Sequence, residues 1–442
     1  MKKQTLTLFL FTIYVIVQIF NLSSVFLVTN PNIALLTNYG SFSLLIGAFI
    51  TSSPFSNDNS HIRFLFKKAL LFPFFVLSFY LVSFAVSIYY MNYDPLFGVL
   101  PNLIRCTISI FVFSYLFSYI LYKGLFTTVI KIFTIILTAA SSSILILKSL
   151  KIELSYLIFT DLQSADTDII GRASGLFLNA NTAAQFTLYA IILLLHFLQE
   201  QKISMWARIL LDVCVMTCIY ALFLTFSTTG FINLFLVFSY FMFIKYANKI
   251  KFLFHFAAII IIFQILILSL ISIKDNLYST YDLPSIQQEK IDNILNVFSS
   301  NHSAKVNYSY RDQLFEKGVE LIQKRPFLGY GAGEFMTGVL NGLGIHNTYL
   351  QITGEAGIFI SILYLVVCLS ILKRCYQIKD KPINFLVTSG VFSSLIYQLS
   401  THGILYSESV LLMLIFFNCI SILVKYTEKY TERKKIPSRQ IV

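Results

Sequence analysis

Three stretches of this chain concentrate residue types that bind anions and move protons. Residues 171–181 read Gly-Arg-Ala-Ser-Gly-Leu-Phe-Leu-Asn-Ala-Asn. Glycine and asparagine favour irregular, backbone-exposing turns, and a guanidinium at Arg172 can grip a phosphate through two parallel hydrogen bonds. The alternative is an interface arginine closing a helix end, its stem in apolar surroundings and its head in water. Arg311, in the second stretch, carries a similar pair of readings: an anion contact at a membrane mouth, or a solvated charge on a helix. Acting as a pair, the two arginines would neutralise a diphosphate without a metal.

The third stretch runs from Pro326 through Gly329-Tyr330-Gly331-Ala332-Gly333 and on to Gly342-Leu343-Gly344-Ile345-His346-Asn347-Thr348-Tyr349-Leu350. Its glycine run invites a dinucleotide-binding reading. That motif belongs between a buried strand and a helix, whereas this one follows a helical pattern and a proline with no βαβ unit around it. The glycines read instead as a tight loop that positions what comes next. What comes next is His346, whose imidazole can accept a proton near neutral pH, although a lone interfacial histidine can also be purely structural. Glu355 stands in an apolar run, where an unpartnered carboxylate is costly, so it calls for a polar interior or a basic partner. His61, His196, His255, His302 and His402 lack comparable surroundings, and Asp212 and Lys131 are explained as readily by helix packing.

The elements that must position these residues are membrane helices. Of 442 residues, 57% are hydrophobic and 12% charged, about half the charge of an ordinary soluble domain. The formal net charge of +12 comes from short basic clusters between apolar runs. That pattern controls membrane topology rather than binding nucleic acid. The six cysteines all lie in or beside apolar segments and read as small buried hydrophobes. Neither a Walker A run nor an Asp-rich cytosolic metal motif is present, which disfavours an ATPase or an inner-face nucleotide-sugar synthase. The first apolar segment lacks a convincing small-residue cleavage site and reads as a retained helix.

Candidate spans are 6–28, 33–50, 69–89, 104–121, 126–147, 182–198, 207–227, 229–246, 252–272, 349–372, 383–402 and 404–424. Each approaches the roughly 20 residues needed to cross about 30 Å of hydrocarbon. The fold class expected is therefore all-α, polytopic, with about 12 spans. It divides into an N-terminal bundle (1–272), a long extracytoplasmic loop (273–348), a C-terminal bundle (349–424) and a basic cytoplasmic tail (425–442). With Lys2 and Lys3 inside, alternation places Arg63, Lys67 and Lys68, then Lys123, Lys202 and Arg208 in the cytoplasm. It does the same for Lys245 to Lys251, for Lys373 to Lys381 and for the tail, as the positive-inside rule requires. Segments 148–181 and 273–348 then lie outside. Within the second, Tyr310–Arg325 reads as an amphipathic helix with Phe315, Val319 and Ile322 on its apolar side, stopped by Pro326.

In order and placement these motifs resemble the O-antigen ligase and O-antigen polymerase superfamily. The shared pattern is an Arg, a Gly-x-Phe and an Asn at a helix start. An outer loop follows with an Arg, a Pro-x-x-Gly-x-Gly-x-Gly run, His-Asn-x-x-Leu and Glu-x-Gly. Here these are Arg172, Gly175, Phe177, Asn181, Arg311, Pro326, Gly329, Gly331, Gly333, His346, Asn347, Leu350, Glu355 and Gly357. The resemblance implies an inverting, metal-independent membrane glycosyltransferase similar to the GT-C enzymes, with no cofactor. Its donor would be a glycan on undecaprenyl diphosphate at the outer face of the cytoplasmic membrane, passed to a glycan acceptor. A flippase and a chain-length regulator are possible partners.

The implied roles place Arg172 and Arg311 on the diphosphate and His346 at the acceptor hydroxyl as base or positioner. Asn181, Asn347 and Glu355 join the substrate-binding set. The sequence departs from the pattern at Phe226-Ser227-Thr228-Thr229-Gly230, where family members often have Ser-Arg-Gly and this chain has Thr228. Either another basic residue supplies that contact or the diphosphate is held less strongly. The leading function is a repeat-unit polymerase for surface polysaccharide. The alternatives are a ligase delivering a finished glycan to lipid A core, protein or another acceptor, and a transporter of such lipids. The charge pattern makes one direct prediction: both termini are cytoplasmic and 273–348 is outside. Single cysteines placed through 290–340 should react with an impermeant thiol reagent on intact cells, and uniform protection would refute the topology.

Overall fold

The computed structural model describes residues 3–54, 60–91, 93–152, 173–177, 179–199, 203–246, 311–339, 344–401 and 403–434, with isolated positions between 253 and 292. Among the described residues every regular element is a helix, so the chain is an all-α, polytopic membrane protein. The helices are α1 (Lys3–Ile19), α2 (Leu22–Thr29), α3 (Pro31–Thr51), α4 (Ser60–Ala69), α5 (Leu71–Tyr89), α6 (Tyr93–Tyr122) and α7 (Phe126–Ser149). They continue as α8 (Ala180–Leu198), α9 (Met205–Leu224), α10 (Thr228–Lys245), α11 (Arg311–Lys324), α12 (Glu334–Thr337) and α13 (Thr348–Ala356). The last are α14 (Ile358–Tyr376), α15 (Lys381–Tyr397), a 3₁₀ turn (Ile404–Tyr406) and α16 (Glu408–Lys434).

Nine of the described helices contain a stretch long and apolar enough to cross a membrane. Of the other expected spans, α1 and α15 have 17 residues each, and 252–272 lies almost wholly outside the described residues. Two expected spans are interrupted. The first breaks after Ile19, where Asn21 takes a φ of 50°. The expected span 349–372 is cut at Gly357, whose φ of 82° ends the nine-residue α13 and starts α14. An L side chain disfavours that region. Glu355 therefore sits on a short helix ahead of the span Ile358–Tyr376.

Capping side chains fix where several helices begin. Ser204 Oγ accepts from Ala207 N at 3.3 Å, Ser227 Oγ from Gly230 N at 3.2 Å, and Asp380 Oδ1 from Ile383 N at 3.0 Å. Each satisfies an amide that the helix itself leaves unpaired.

The chain divides into two compact units. One comprises Met1–Ser23, Asn32–Ile136 and Tyr310–Val442; the other comprises Ser24–Pro31 and Leu137–Ser309. In the first, α6 packs along α16, with Phe117 tilted against Phe416 at 5.4 Å. The same helix pair holds an ion pair: Arg105 Nε lies 3.0 Å from Glu408 Oε2, and Ser109 Oγ donates to Glu408 Oε1 at 2.6 Å. A buried carboxylate among apolar helices needs such partners.

The loop helix forms as Arg311–Lys324, but its inward face is not the expected one. Phe315 is 51% exposed, while Leu314 is 1% exposed and packs in a cluster with Phe335, Val339 and Ile345. Leu321 and Ile322 flank the same cluster. The helical spacing 314–318–321 puts the small Gly318 against Ile345; of the expected apolar set, Ile322 reaches the cluster while Phe315 does not. In the second unit α8 is buried along almost its whole length against α9 and α10, whereas α9 turns Trp206, Leu210, Val213 and Tyr220 outward. Such an apolar exposed face suits lipid.

Gly357 generates a prediction. A Cβ there would stand 1.9 Å from the Phe327 carbonyl oxygen. Gly357→Ala should lower the thermal unfolding midpoint in detergent, at a cost above about 1 kcal/mol. Gly40→Ala, on α3 with open space around it, should be neutral or slightly stabilising.

Candidate functional site

The site in the first unit begins with the glycine loop. Arg325 to Gly333 leaves α11, and its backbone docks on α13: Tyr330 N donates to Gly354 O at 2.7 Å and Gly331 N to Glu355 O at 3.0 Å. On its other side the loop meets α5, where Ala332 N is shared by Ser83 O at 3.2 Å and Ser87 Oγ at 2.8 Å. Gly331, at a φ of 101°, passes so close to α5 that a Cβ would lie 2.3 Å from Ser87 Oγ. The glycine run thus lets one strand of backbone fit between two helices, as the sequence reading expected of a positioning loop.

His346 follows a short return strap. Ile345 N donates to Phe335 O at 3.0 Å, and the side chain of Ile345 enters the Leu314–Phe335 cluster. His346 is half-buried at the point where the strap turns into α13. Asn347 is the N-cap of α13: Oδ1 accepts from Leu350 N at 3.1 Å, and Nδ2 reaches Leu399 O at 3.4 Å. Thr348 then pins the helix start through Oγ1 to Thr401 O at 2.8 Å and N to Gln398 O at 2.8 Å. The His-Asn-x-x-Leu spacing is therefore the geometry of a helix cap, with Leu350 supplying the capped amide.

Glu355 is completely buried. Its Oε1 accepts from Gln351 Nε2 at 3.1 Å and its Oε2 from Tyr406 OH at 2.5 Å, while Gly333 N–H also donates to the carboxylate. Gln351 Oε1 in turn accepts from Gly403 N at 2.8 Å. Tyr406 is wedged by Tyr80, stacked at 5.9 Å, and by Phe79 at 6.1 Å; the Tyr80 hydroxyl donates to Leu405 O. Burial pushes the Glu355 carboxyl up to about 7, against the pull of Tyr406, Gln351 and Gly333. Asn347 and Glu355 were expected among the substrate contacts. Their polar atoms are hydrogen-bonded within the protein, and both help position the loop and helix that carry His346.

Of the other expected residues, Arg172 lies outside the described residues, and Arg311 is the first residue of α11. Farther along α11, Glu320 pairs with Lys317 at 2.8 Å and Lys324 at 2.6 Å, which hold its carboxyl down to about 2. The second unit holds Asn181. Asn179 caps α8 by accepting from Asn181 N at 2.7 Å, and Ser227 Oγ donates to Asn181 Oδ1 at 3.1 Å. Ser227, the N-cap of α10, thus joins the start of α8 to the start of α10. Ala173 N to Leu224 O at 3.1 Å fastens the residues just ahead of both helices. Sequence reading missed Ser227 as a partner of Asn181, and it missed Gln351 and Tyr406. Tyr406 lay hidden in an expected span, where one more tyrosine among apolar residues carries no signal. Among the described residues no group of three or more His, Cys, Asp or Glu side chains is placed to hold a metal ion.

The Glu355 geometry predicts a pH effect. The folded-state carboxyl titrates near 7, above its ordinary value of 4.5, so the folded protein retains a proton that the unfolded chain has lost. Stability from this group should fall as pH rises from about 4.5 to about 7 and then level off. Glu355→Gln, which keeps the shape but cannot ionise, should gain on the wild type over that window. Glu355→Ala should unfold at lower temperature throughout, because it leaves buried donors unpaired. Thermal midpoints of the three proteins across pH check both statements.

No curated protein matches the chain. The O-antigen ligase family model matches residues 213–365. That interval runs from α9 into α14 and contains Ser227, Arg311, the glycine loop, His346 and Glu355. Over this stretch the chain is similar to the O-antigen ligase family.

Proposed function

We propose that the protein polymerises undecaprenyl-diphosphate-linked oligosaccharide repeat units at the outer face of the cytoplasmic membrane. The observation that carries this reading is the family match over residues 213–365, whose interval includes a loop built to hold His346 in a fixed place. A multi-pass membrane protein of a glycosyl-transferring kind is the coarser statement. The finer one assigns sides, donor and roles. The basic clusters support cytoplasmic termini, and on that topology α11, the glycine loop and His346 face the outer side, where lipid-linked glycans are displayed.

In the proposed reaction an acceptor sugar hydroxyl attacks the anomeric carbon of the donor. The new glycosidic bond forms as the bond to the diphosphate oxygen breaks, and attack from the opposite face inverts the centre. The hydroxyl proton passes to the neutral imidazole of His346. Arg172 and Arg311 neutralise the charge growing on the departing undecaprenyl diphosphate, a task that needs cations but no metal. Asn181 is anchored to Ser227 at the start of α8. Asn347 and Glu355 fix the strap and helix on either side of His346.

The matched family is described as an O-antigen ligase, so transfer of a finished glycan to a different acceptor is the second reading. Purified protein in nanodiscs, supplied with a lipid-linked repeat unit alone, separates the two. A ladder of lengthened products supports polymerisation, and a single transfer that needs a non-lipid-linked acceptor overturns it. In the same assay His346→Ala should slow single-turnover transfer by about 10²–10⁴-fold while leaving donor binding intact. Arg172→Ala and Arg311→Ala should weaken donor use, and Arg172→Lys should restore it only in part. An unchanged chemical step in His346→Ala would remove the histidine from the reaction.

A further inference from the structure

We propose that Arg325 is a preformed contact for the diphosphate of the lipid-linked donor. The proposal rests on the glycosyltransferase reading above. It starts from an arginine set over two tyrosine rings at short range, with no carboxylate pair among the described residues. The guanidinium carbon of Arg325 lies 3.9 Å from the ring centroid of Tyr90 and 4.6 Å from that of Tyr330. At these distances the guanidinium lies over both aromatic rings, and its N–H donors remain to meet an acceptor. Among the described residues no carboxylate, carbonyl or hydroxyl takes a hydrogen bond from that edge. Glu334 is near enough to feel the charge, yet it forms no ion pair with Arg325 within 4.0 Å. By contrast Arg105 lies against Glu408, and Lys317 and Lys324 both lie against Glu320.

The two rings are held independently of the arginine. Tyr330 is tied by its backbone N to Gly354 O at 2.7 Å and by its hydroxyl to Leu321 O at 3.1 Å, and its ring packs on Phe335 at 6.0 Å. Tyr90 caps the end of α5 and is propped edge-on by Tyr89 at 4.9 Å. The clamp therefore exists before any ligand, and a guanidinium already fixed in its rotamer loses little freedom on binding. A flat, weakly hydrated, always-charged fork is the side chain suited to a diphosphate's oxygens. Arg325 also directly precedes Pro326 and the glycine loop that leads to His346, so it belongs to the same outer-loop segment as the proposed chemistry.

The test measures the affinity of purified protein in phosphatidylcholine nanodiscs for undecaprenyl diphosphate and, separately, for uncharged undecaprenol. Arg325→Gln should raise the Kd for the diphosphate about tenfold or more and leave the undecaprenol affinity unchanged, since only the former offers oxyanions. Arg325→Lys should restore part of the loss, because it returns the charge without the planar fork. Equal affinity for the diphosphate in wild type and Arg325→Gln would overturn the proposal, as would equal losses for both lipids, which would make the clamp a structural strap. An effect seen only in phosphatidylglycerol nanodiscs would assign the residue to bulk lipid headgroups and overturn it too. Should Arg325→Gln fail to elute as a folded species, Arg325→Lys decides: full wild-type affinity there refutes the proposal. Transfer activity separates this proposal from the reading it rests on. A wild type that forms glycosidic bonds while Arg325→Gln binds normally removes this proposal alone. A wild type that binds the diphosphate through Arg325 yet forms no glycosidic bond removes the glycosyltransferase reading alone. A wild type without affinity for the diphosphate removes both.

Discussion

The buried carboxylate of Glu355 ties together parts of the chain far apart in sequence. It receives Gly333 from the glycine loop, Gln351 from its own helix and Tyr406 from the turn before α16. Withdrawn from water, such a group is tolerable only with its lone pairs filled. Its partners must therefore arrive together, and the backbone between them must bend to let them. That demand accounts for the left-handed glycines at the loop, for Gln351 bridging onward to Gly403, and for the packing of Tyr406 against Tyr80 and Phe79. The carboxylate does not need to touch substrate to matter. It fixes the frame in which His346 stands.

A second constraint is steric and works with the first. Phe335 is completely buried, and its ring lies where a Cβ on Gly354 would be, 2.3 Å from the ring carbons. Ile345 presses on Gly318 in the same way, at 2.4 Å. Two large side chains are thus seated on bare backbone of α13 and α11. Helix α11, the strap and the short helix become a small core that excludes slack on either side of the histidine. Hydrogen bonds choose the register of these pieces, and apolar packing holds them in it.

Much of this was legible in the sequence, and the limits are physical. The helical class followed from long apolar runs, and α11 was found within a residue at each end. The glycine run was read correctly as a positioning loop because a dinucleotide site would have needed a strand that the sequence lacks. Periodicity misplaced the apolar face of α11: it selected Phe315, which is exposed, over Leu314, because a stripe written with only a few apolar residues fits neighbouring registers nearly as well. The break at Gly357 was missed because a hydropathy window averages across a single left-handed residue. Glu355 was recognised as a group needing a partner, but that partner, Tyr406, lies 51 positions along the chain. Pairing across such a separation leaves no local trace. Nor does local sequence separate an arginine that will be neutralised from one that will not.

That last distinction bears on the proposed diphosphate-lipid substrate. Arg105 is bound to Glu408, and this pair is part of how α6 and α16 hold together. Lys317 and Lys324 share Glu320 on an exposed helix face, where ion pairs contribute little and ionic strength screens them. Cations committed in these ways have much of their charge balanced by the protein and add little field for a ligand. A guanidinium buttressed by aromatic rings keeps its full charge and its donors, at the cost of desolvation that the rings' π faces offset only in part. Stability alone would favour an acidic partner at that place. The sequence supplies two tyrosines instead, which hold the charge in position without cancelling it. For a reaction whose leaving group is a diphosphate, an arrangement of uncancelled cations is the feature that separates a site from a scaffold.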